Sequence, residues 1–227
     1  MKNKILIVAA HPDDEALGAG GTILKHAAAG DEIKILLLGD GETSRQTADI
    51  SKRAEQAKAC GKLLGASEVI LHQLPDQRFD TVPLLDIIQL IEPVVLEWRP
   101  TIVYTHCPYD LNADHRLTFQ ATLTACRPGP NLSVQKLLAF ETLSSTEWQI
   151  KDQANNFSPN YYSDITDFLK KKIEAVLIYK DEIREFPHPR SAQGIEILAQ
   201  YRGMEVGYQY AEAFQVIRIL TDPHGKK

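Results

Sequence analysis

Residues 11–15 read His11-Pro12-Asp13-Asp14-Glu15 and directly follow the apolar run 5–10. Metal ligands and a spare carboxylate therefore stand where a buried strand ends. His11 and Asp14 are three apart, so one turn of helix-like backbone brings them to the same side. Asp13 lies between them and must point elsewhere. One turn thus offers two ligands and one free base. A second cluster runs from Tyr109 through Asp110, Leu111, Asn112 and Ala113 to Asp114-His115-Arg116. His115 is the third candidate ligand, and Asp114 is placed to cap the helix that follows. Three protein ligands with an open water position are the usual plan of a catalytic zinc site. Imidazoles and a carboxylate suit zinc, and iron or another divalent ion fits the same donors. Such an ion lowers the pKa of water to ~7 and polarises a carbonyl. Asp13 can take the water's proton and pass it to a leaving nitrogen. The pattern suits amide hydrolysis.

The elements that must position these residues follow from periodicity. Strands are expected at 5–10, 33–39, 69–74, 102–105 and 137–142, with a late strand at 214–220. Helices are expected at 17–29, closed by Gly30, and at 48–64, closed by Gly65. Further helices are expected at 84–98, 114–126, 165–179 and 191–201, with 151–162 a polar loop. Pro187-His188-Pro189 breaks the helical pattern sharply. This alternation predicts an α/β fold, a Rossmann-like three-layer sandwich with a mostly parallel sheet and an added C-terminal region. The expected organisation is one domain, with 1–145 as the core and 146–227 as an extension forming part of the substrate pocket. Ligands bind at the carboxyl ends of strands in such sheets. Residues 11–15, 39–43, 75–79 and 106–115 all fall there.

The chain has 227 residues, 44% hydrophobic and 24% charged, ordinary for a globular protein. A net charge of −5 argues against an electrostatic grip on nucleic acid or an anionic membrane. Cys60, Cys107 and Cys126 are odd in number and lack a C-x-x-C pair, as expected of free thiols in a reducing cytosol. The apolar run before His11 is too short for a signal-peptide core or a membrane span. The reading is a cytoplasmic protein, and it is compatible with a homo-oligomer.

The string Ala10-His11-Pro12-Asp13-Asp14-Glu15, with Asp114-His115 about a hundred residues later, resembles the PIG-L/LmbE-like de-N-acetylase family. The resemblance covers roughly 4–142 and extends more weakly to the C-terminus. It implies zinc-dependent removal of acetyl groups from N-acetylglucosamine-type substrates. It also implies His11, Asp14 and His115 as zinc ligands, Asp13 as general base, and Asp114 as an acid that orients a histidine. The pattern departs at Asn112, where many members carry an oxyanion-stabilising histidine. An amide donates a hydrogen bond but carries no charge and transfers no proton. Either Asn112 does a weaker version of that job, or His188, folding back over the site, supplies the imidazole. The substrate is expected to be an acetylated amino sugar, or a nucleotide-sugar or polysaccharide precursor.

Other residues have competing readings. Gly18, Gly20 and Gly21 lack the spacing of a dinucleotide-binding loop, so helix-on-sheet packing is expected. Arg45, Arg53, Arg78 and Arg190 are candidates for sugar hydroxyls or a phosphate, although each taken alone reads first as a surface residue. Asp76 stands after the third strand, in a comparable place. Tyr109 can polarise the acetyl carbonyl or sit at a rim. His106 reads as a buried neutral histidine, and His26, His72 and His224 have no supporting cluster. Alternative functions are a zinc amidase or esterase on a non-sugar acyl compound, and a non-catalytic metal-containing sugar-binding protein.

Overall fold

The computed structural model describes residues 2–46, 49–129, 133–152 and 155–221. Its centre is a seven-stranded sheet in the order β3-β2-β1-β4-β5-β7-β6. The strands are β1 Lys4–Ala9, β2 Glu32–Gly39, β3 Glu68–Leu74, β4 Ile102–His106, β5 Lys136–Phe140, β6 Tyr161–Asp164 and β7 Ala211–Ile219. The helices are α1 Asp14–Ala28, α2 Ile50–Leu64, α3 Leu84–Trp98, α4 Ala113–Ala125, α5 Leu169–Val176 and α6 Ala192–Met204. Strands β1 to β5 run parallel, with Ile5 registered against both Ile33 and Ile102. Strand β7 is antiparallel to β5, and β6 to β7.

Strand periodicity divides the core between two layers. Ile5, Ile7 and Ala9 pack on the face covered by α1, while Leu6, Val8 and Ala10 face α3. Both faces are buried, which explains the unbroken apolar run. The carboxyl ends of β1 to β5 therefore share one edge, where His11, Asp40, Asp76 and Asp110 emerge.

Several expectations shift in detail. Helix α1 starts at Asp14 rather than 17, so the two motif acids Asp14 and Glu15 form its first turn, where acids are favoured. Helix α2 starts at Ile50 because the Asp49 side chain accepts from Lys52 N; the expected start at Ala48 lies outside the described residues, as does His224. Gly65 closes α2 at φ 86°. Asn112, not Asp114, caps α4, its Oδ1 accepting from Asp114 N at 2.8 Å. Helix α5 is shorter than 165–179, and the expected loop 151–162 runs into edge strand β6.

The glycines of α1 serve packing, as expected. A Cβ at Gly18 would overlap the Phe140 ring, and one at Gly21 would sit 2.8 Å from Ile165. Beneath this helix lies a buried ion pair, Lys172 Nζ to Glu212 Oε1 at 2.7 Å. Lys172 also donates to Leu17 O at 2.8 Å, and Glu212 accepts from Gly21 N and Thr22 N at 2.8 and 2.7 Å. Leu17 O and Gly21 N are partners in an ideal α-helix. Each here gains a partner from the C-terminal region.

Candidate active site and metal centre

His11, Asp14 and His115 converge. One ligand atom from each lies within 4.8 Å of the others, and all three residues are buried. Asp14 Oδ2 lies 3.4 Å from His11 Nδ1 and 3.4 Å from His115 Nε2, and it accepts from His11 N at 2.9 Å. Sequence spacing thus delivers the expected trio. A second group meeting the same criterion, His11, Asp76 and Asp114, shares His11.

Each imidazole has a carboxylate behind it. Asp114 Oδ2 is 2.9 Å from His11 Nε2, and its two oxygens accept from Gln77 N and Phe79 N at 2.8 and 3.0 Å. Asp110 Oδ1 is 3.1 Å from His115 Nδ1. Asp110 is fixed by the Ser145 hydroxyl and by Thr146 Oγ1 at 2.6 Å, and it accepts from Asn112 N at 2.9 Å. Burial opposes its ionisation, but His115 and these hydroxyls hold its carboxyl down at about 2. Asp114, expected to orient a histidine, contacts one. That histidine is His11, and the partner of His115 is Asp110, which sequence reasoning did not single out.

The electrostatics describe a site short of positive charge. Burial alone lowers a histidine pKa, yet Asp114, Asp14 and Asp76 raise His11 to about 10. His115 likewise overcomes burial and rises to about 9 beside Asp14 and Asp110. Burial would raise Asp14, but His115, His106 and His11 hold it well below the carboxylate range. His115 Nε2 is buried without a hydrogen-bond partner. Protons on two imidazoles balance carboxylates that a cation would balance equally well. The donor set and this orphaned nitrogen fit a divalent metal.

His106 completes the cluster. Its ring stacks on His115 at 4.0 Å, and its Nε2 accepts from Ala10 N at 2.9 Å. Burial, then His115, pushes it down to about 4, so it is neutral, as expected of a buried histidine. It braces His115 and lies 3.4 Å from Asp14.

Asp13 stands beside the trio with φ 126°, a left-handed value costly for a residue bearing a Cβ. Its N–H donates to Glu15 Oε2 at 2.9 Å, and Glu15 Oε1 accepts from the Tyr179 hydroxyl at 2.5 Å. Its carboxylate accepts from Arg190 Nη1 at 2.8 Å. Burial pushes Asp13 up to about 8; Arg190 opposes this, and Asp14 and Glu182 reinforce it. A carboxyl held near neutrality is suited to moving protons in both directions.

The site opens into a polar cleft lined by His11, Pro12, Asp13, Gly41, Ser44, Arg45, Asp76, Gln77, Asn112, Glu182 and Arg190. Asn112 reaches the cleft although its Oδ1 is used as a cap. Arg190 enters it, bound to Asp13 and to Ser144 Oγ at 2.7 Å. Arg53 is buried behind the wall, where it meets Glu42 at 2.9 Å and also pairs with Glu182. Arg78 is exposed, and neither Arg78 nor Tyr109 lines the cleft. His188 does not line it either. Its ring packs edge-on against Trp148 at 5.8 Å, and its Nδ1 accepts from Arg190 N at 3.1 Å. The loop containing His188 reaches the site through Arg190 instead. Asp76 and Arg45, both candidates from sequence, line the cleft, and Gln77 and Glu182 join it; the position of 75–79 at the sheet edge was the available signal for Gln77.

Comparison with known proteins places the chain among relatives. Residues 6–126 match the PIG-L family, described as GlcNAc-PI de-N-acetylase. The diacetylchitobiose deacetylase of Thermococcus kodakarensis is 29% identical, over 94% of this chain and 83% of its own. A conserved protein of Thermus thermophilus superposes with a TM-score of 0.78 at 23% identity, covering 99% of this chain and 100% of its own. The 4-carboxy-2-hydroxymuconate hydratase of Pseudomonas putida superposes with a TM-score of 0.75 at 22% identity, covering 97% and 98%. The last two likenesses show the fold alone, which serves more than one reaction. The family match spans more than half the chain and includes every residue of the His11–Asp14–His115 trio, so this protein belongs to the PIG-L de-N-acetylase family.

Proposed function

We propose that this protein is a divalent-metal-dependent hydrolase, with zinc the favoured ion and iron an alternative. It removes the N-acetyl group of an amino sugar or sugar conjugate, giving acetate and a free amine. The observation that carries this reading is the buried His11–Asp14–His115 trio with the Asp13 carboxylate beside it at the floor of a polar cleft. A bound divalent ion would contribute Lewis acidity toward the acetyl carbonyl and water made nucleophilic near neutral pH.

The chain's own groups do the rest. Asp13 takes the proton of the attacking water and returns it to the leaving nitrogen. Arg190 aims the Asp13 carboxylate. The Nδ2 amide of Asn112 donates to the oxyanion as charge develops. Asp114 and Asp110 fix the orientations of His11 and His115. Ser44, Asp76, Gln77 and Glu182 offer the hydrogen-bonding wall that sugar hydroxyls require. In this reading 1–145 carries the chemistry and 146–227 supplies Glu182 and Arg190 to the same catalytic domain. No helix among the described residues is long and apolar enough to cross a membrane. The three cysteines are free and buried, which supports a cytoplasmic setting.

Acetate release from N-acetylglucosamine, N,N′-diacetylchitobiose and acetylated nucleotide sugars tests the reading. Asp13→Asn is expected to lose about 10²- to 10⁴-fold in kcat while keeping its metal. Full metal occupancy with no acetate from any acetamido sugar overturns it.

A further inference from the structure

Asp13 stands immediately before α1, where an aspartate ordinarily turns its carboxylate onto the first N–H groups of the helix. Here it makes no such cap. At φ 126° and ψ −29° the side chain leaves the helix and meets Arg190 Nη1 at 2.8 Å beside the cleft. The bend separates a base from a cap. A backbone angle of this kind persists only where the surroundings dictate it.

The Asp13 carbonyl accepts from Ala16 N and Leu17 N at 3.1 and 2.9 Å, as a residue opening a helix does. Its N–H is held differently. It donates to Glu15 Oε2 at 2.9 Å, and Oε1 of the same carboxyl accepts from the Tyr179 hydroxyl at 2.5 Å. The Cys60 thiol is a further donor to Glu15. Glu15 and Tyr179 are both fully buried. A first-turn glutamate that bonds back to the residue before its helix is half of a capping box. A cap on an exposed helix end needs no buried tyrosine behind it, and this one has a seated one. The Arg53 guanidinium lies 5.7 Å from the Tyr179 ring and pairs with Glu182, whose N–H donates to Tyr179 O at 2.9 Å. Segment 179–190 therefore grips Asp13 twice: at its N–H through Tyr179 and Glu15, and at its carboxylate through Arg190. Resting on the deacetylase reading above, we infer that Glu15 and Tyr179 are positioning residues for the Asp13 base. They fix its peptide in the left-handed bend, so that the carboxylate faces the cleft instead of capping α1. Arg53, which has no contact in the cleft, acts on the base by seating Tyr179.

Glu15→Met keeps the length of the side chain and removes both acceptors. Glu15→Gln keeps an oxygen for the Asp13 N–H and turns its amide N–H toward the Tyr179 oxygen. With N-acetylglucosamine and N,N′-diacetylchitobiose as probes, Glu15→Met is expected to lower kcat by roughly 10- to 100-fold, with KM and bound zinc unchanged. Glu15→Gln should recover to within about threefold of the native rate, and Tyr179→Phe should lose roughly 3- to 10-fold. A cap alone would shift the unfolding midpoint and leave kcat in place. Added to Asp13→Asn, Glu15→Met should cost no further turnover, because the group it positions is already gone. A crystal structure of Glu15→Met needs no substrate, and it is expected to show Asp13 at negative φ with the contact to Arg190 broken. Asp13 unmoved in that crystal, or kcat unchanged in both Glu15→Met and Tyr179→Phe, overturns the inference while the deacetylase reading stands. Losses that add in full to that of Asp13→Asn, or that accompany loss of zinc, assign Glu15 to the framework of the Asp14 turn and overturn it too. Failure of the reading itself shows elsewhere, as a native enzyme that releases no acetate.

Discussion

Asp13 and Arg190 lie 177 residues apart in the chain and meet at 2.8 Å. The guanidinium does two things to the proposed base: it fixes the direction of the carboxylate and it favours the ionised form. Replacing it with Gln or Ala is therefore expected to lower kcat by about 10²-fold through misplacement. The sign of the pH effect follows from the charge. Removing a cation raises the Asp13 pKa, and the working base is the deprotonated form. The acidic limb of the kcat/KM profile should move to higher pH in Arg190→Gln. An unmoved limb would separate Arg190 from the base.

Metal affinity should depend steeply on pH. Without the cation, Asp114, Asp14 and Asp76 raise His11 to about 10 against the effect of burial, and His115 reaches about 9. Both are protonated at pH 7, and both must lose a proton to serve as the proposed ligands. Binding should release protons, and the apparent affinity should climb by about tenfold per unit of pH for each proton released. Competition with a chelator between pH 6.5 and 8.5 gives the slope. A flat profile would remove His11 and His115 from the ligand set. Stripping the metal should abolish acetate release, with recovery on adding zinc or iron(II).

Asp110→Asn tests the orientation of His115. The carboxylate loses its charge, while the Ser145 and Thr146 hydroxyls keep an oxygen to bond. Metal affinity is expected to fall by about 10- to 100-fold. An unchanged dissociation constant would show that His115 is held by packing against His106 alone.

Lys172 and Glu212 form a buried pair with further bonds to Leu17, Gly21 and Thr22. Either Lys172→Met or Glu212→Gln leaves a partner stranded and is expected to cost about 3–5 kcal/mol in denaturant unfolding. The double variant should cost less than the sum of the two. Additive losses would mean that the pair is not coupled.

Much of the parallel half of the fold is legible because its strands are buried on both faces and read as apolar runs. Residues 5–10 and 33–39 show this directly. Strand β6 is hidden because it is a four-residue edge, Tyr161 to Asp164, with polar Ser163 and Asp164. The direction of β7 leaves no trace in its composition. The trio His11, Asp14 and His115 is legible because local spacing and strand-end position converge on it. Asp110 and Arg190 differ: the role of each depends on a partner far along the chain, Ser145 and Thr146 for one and Asp13 for the other. His188 shows the same limit. Two prolines mark a shaped loop, but which of its side chains turns inward is decided by packing against Trp148.

Position 13 bears a side chain at a backbone angle that glycine adopts freely. A sequence selected for durability alone would place glycine there, and Asp13→Gly should yield a sturdier, inert protein. In the proposed reaction the carboxylate at that bend is the base, so robustness and catalysis would make opposite demands on one residue.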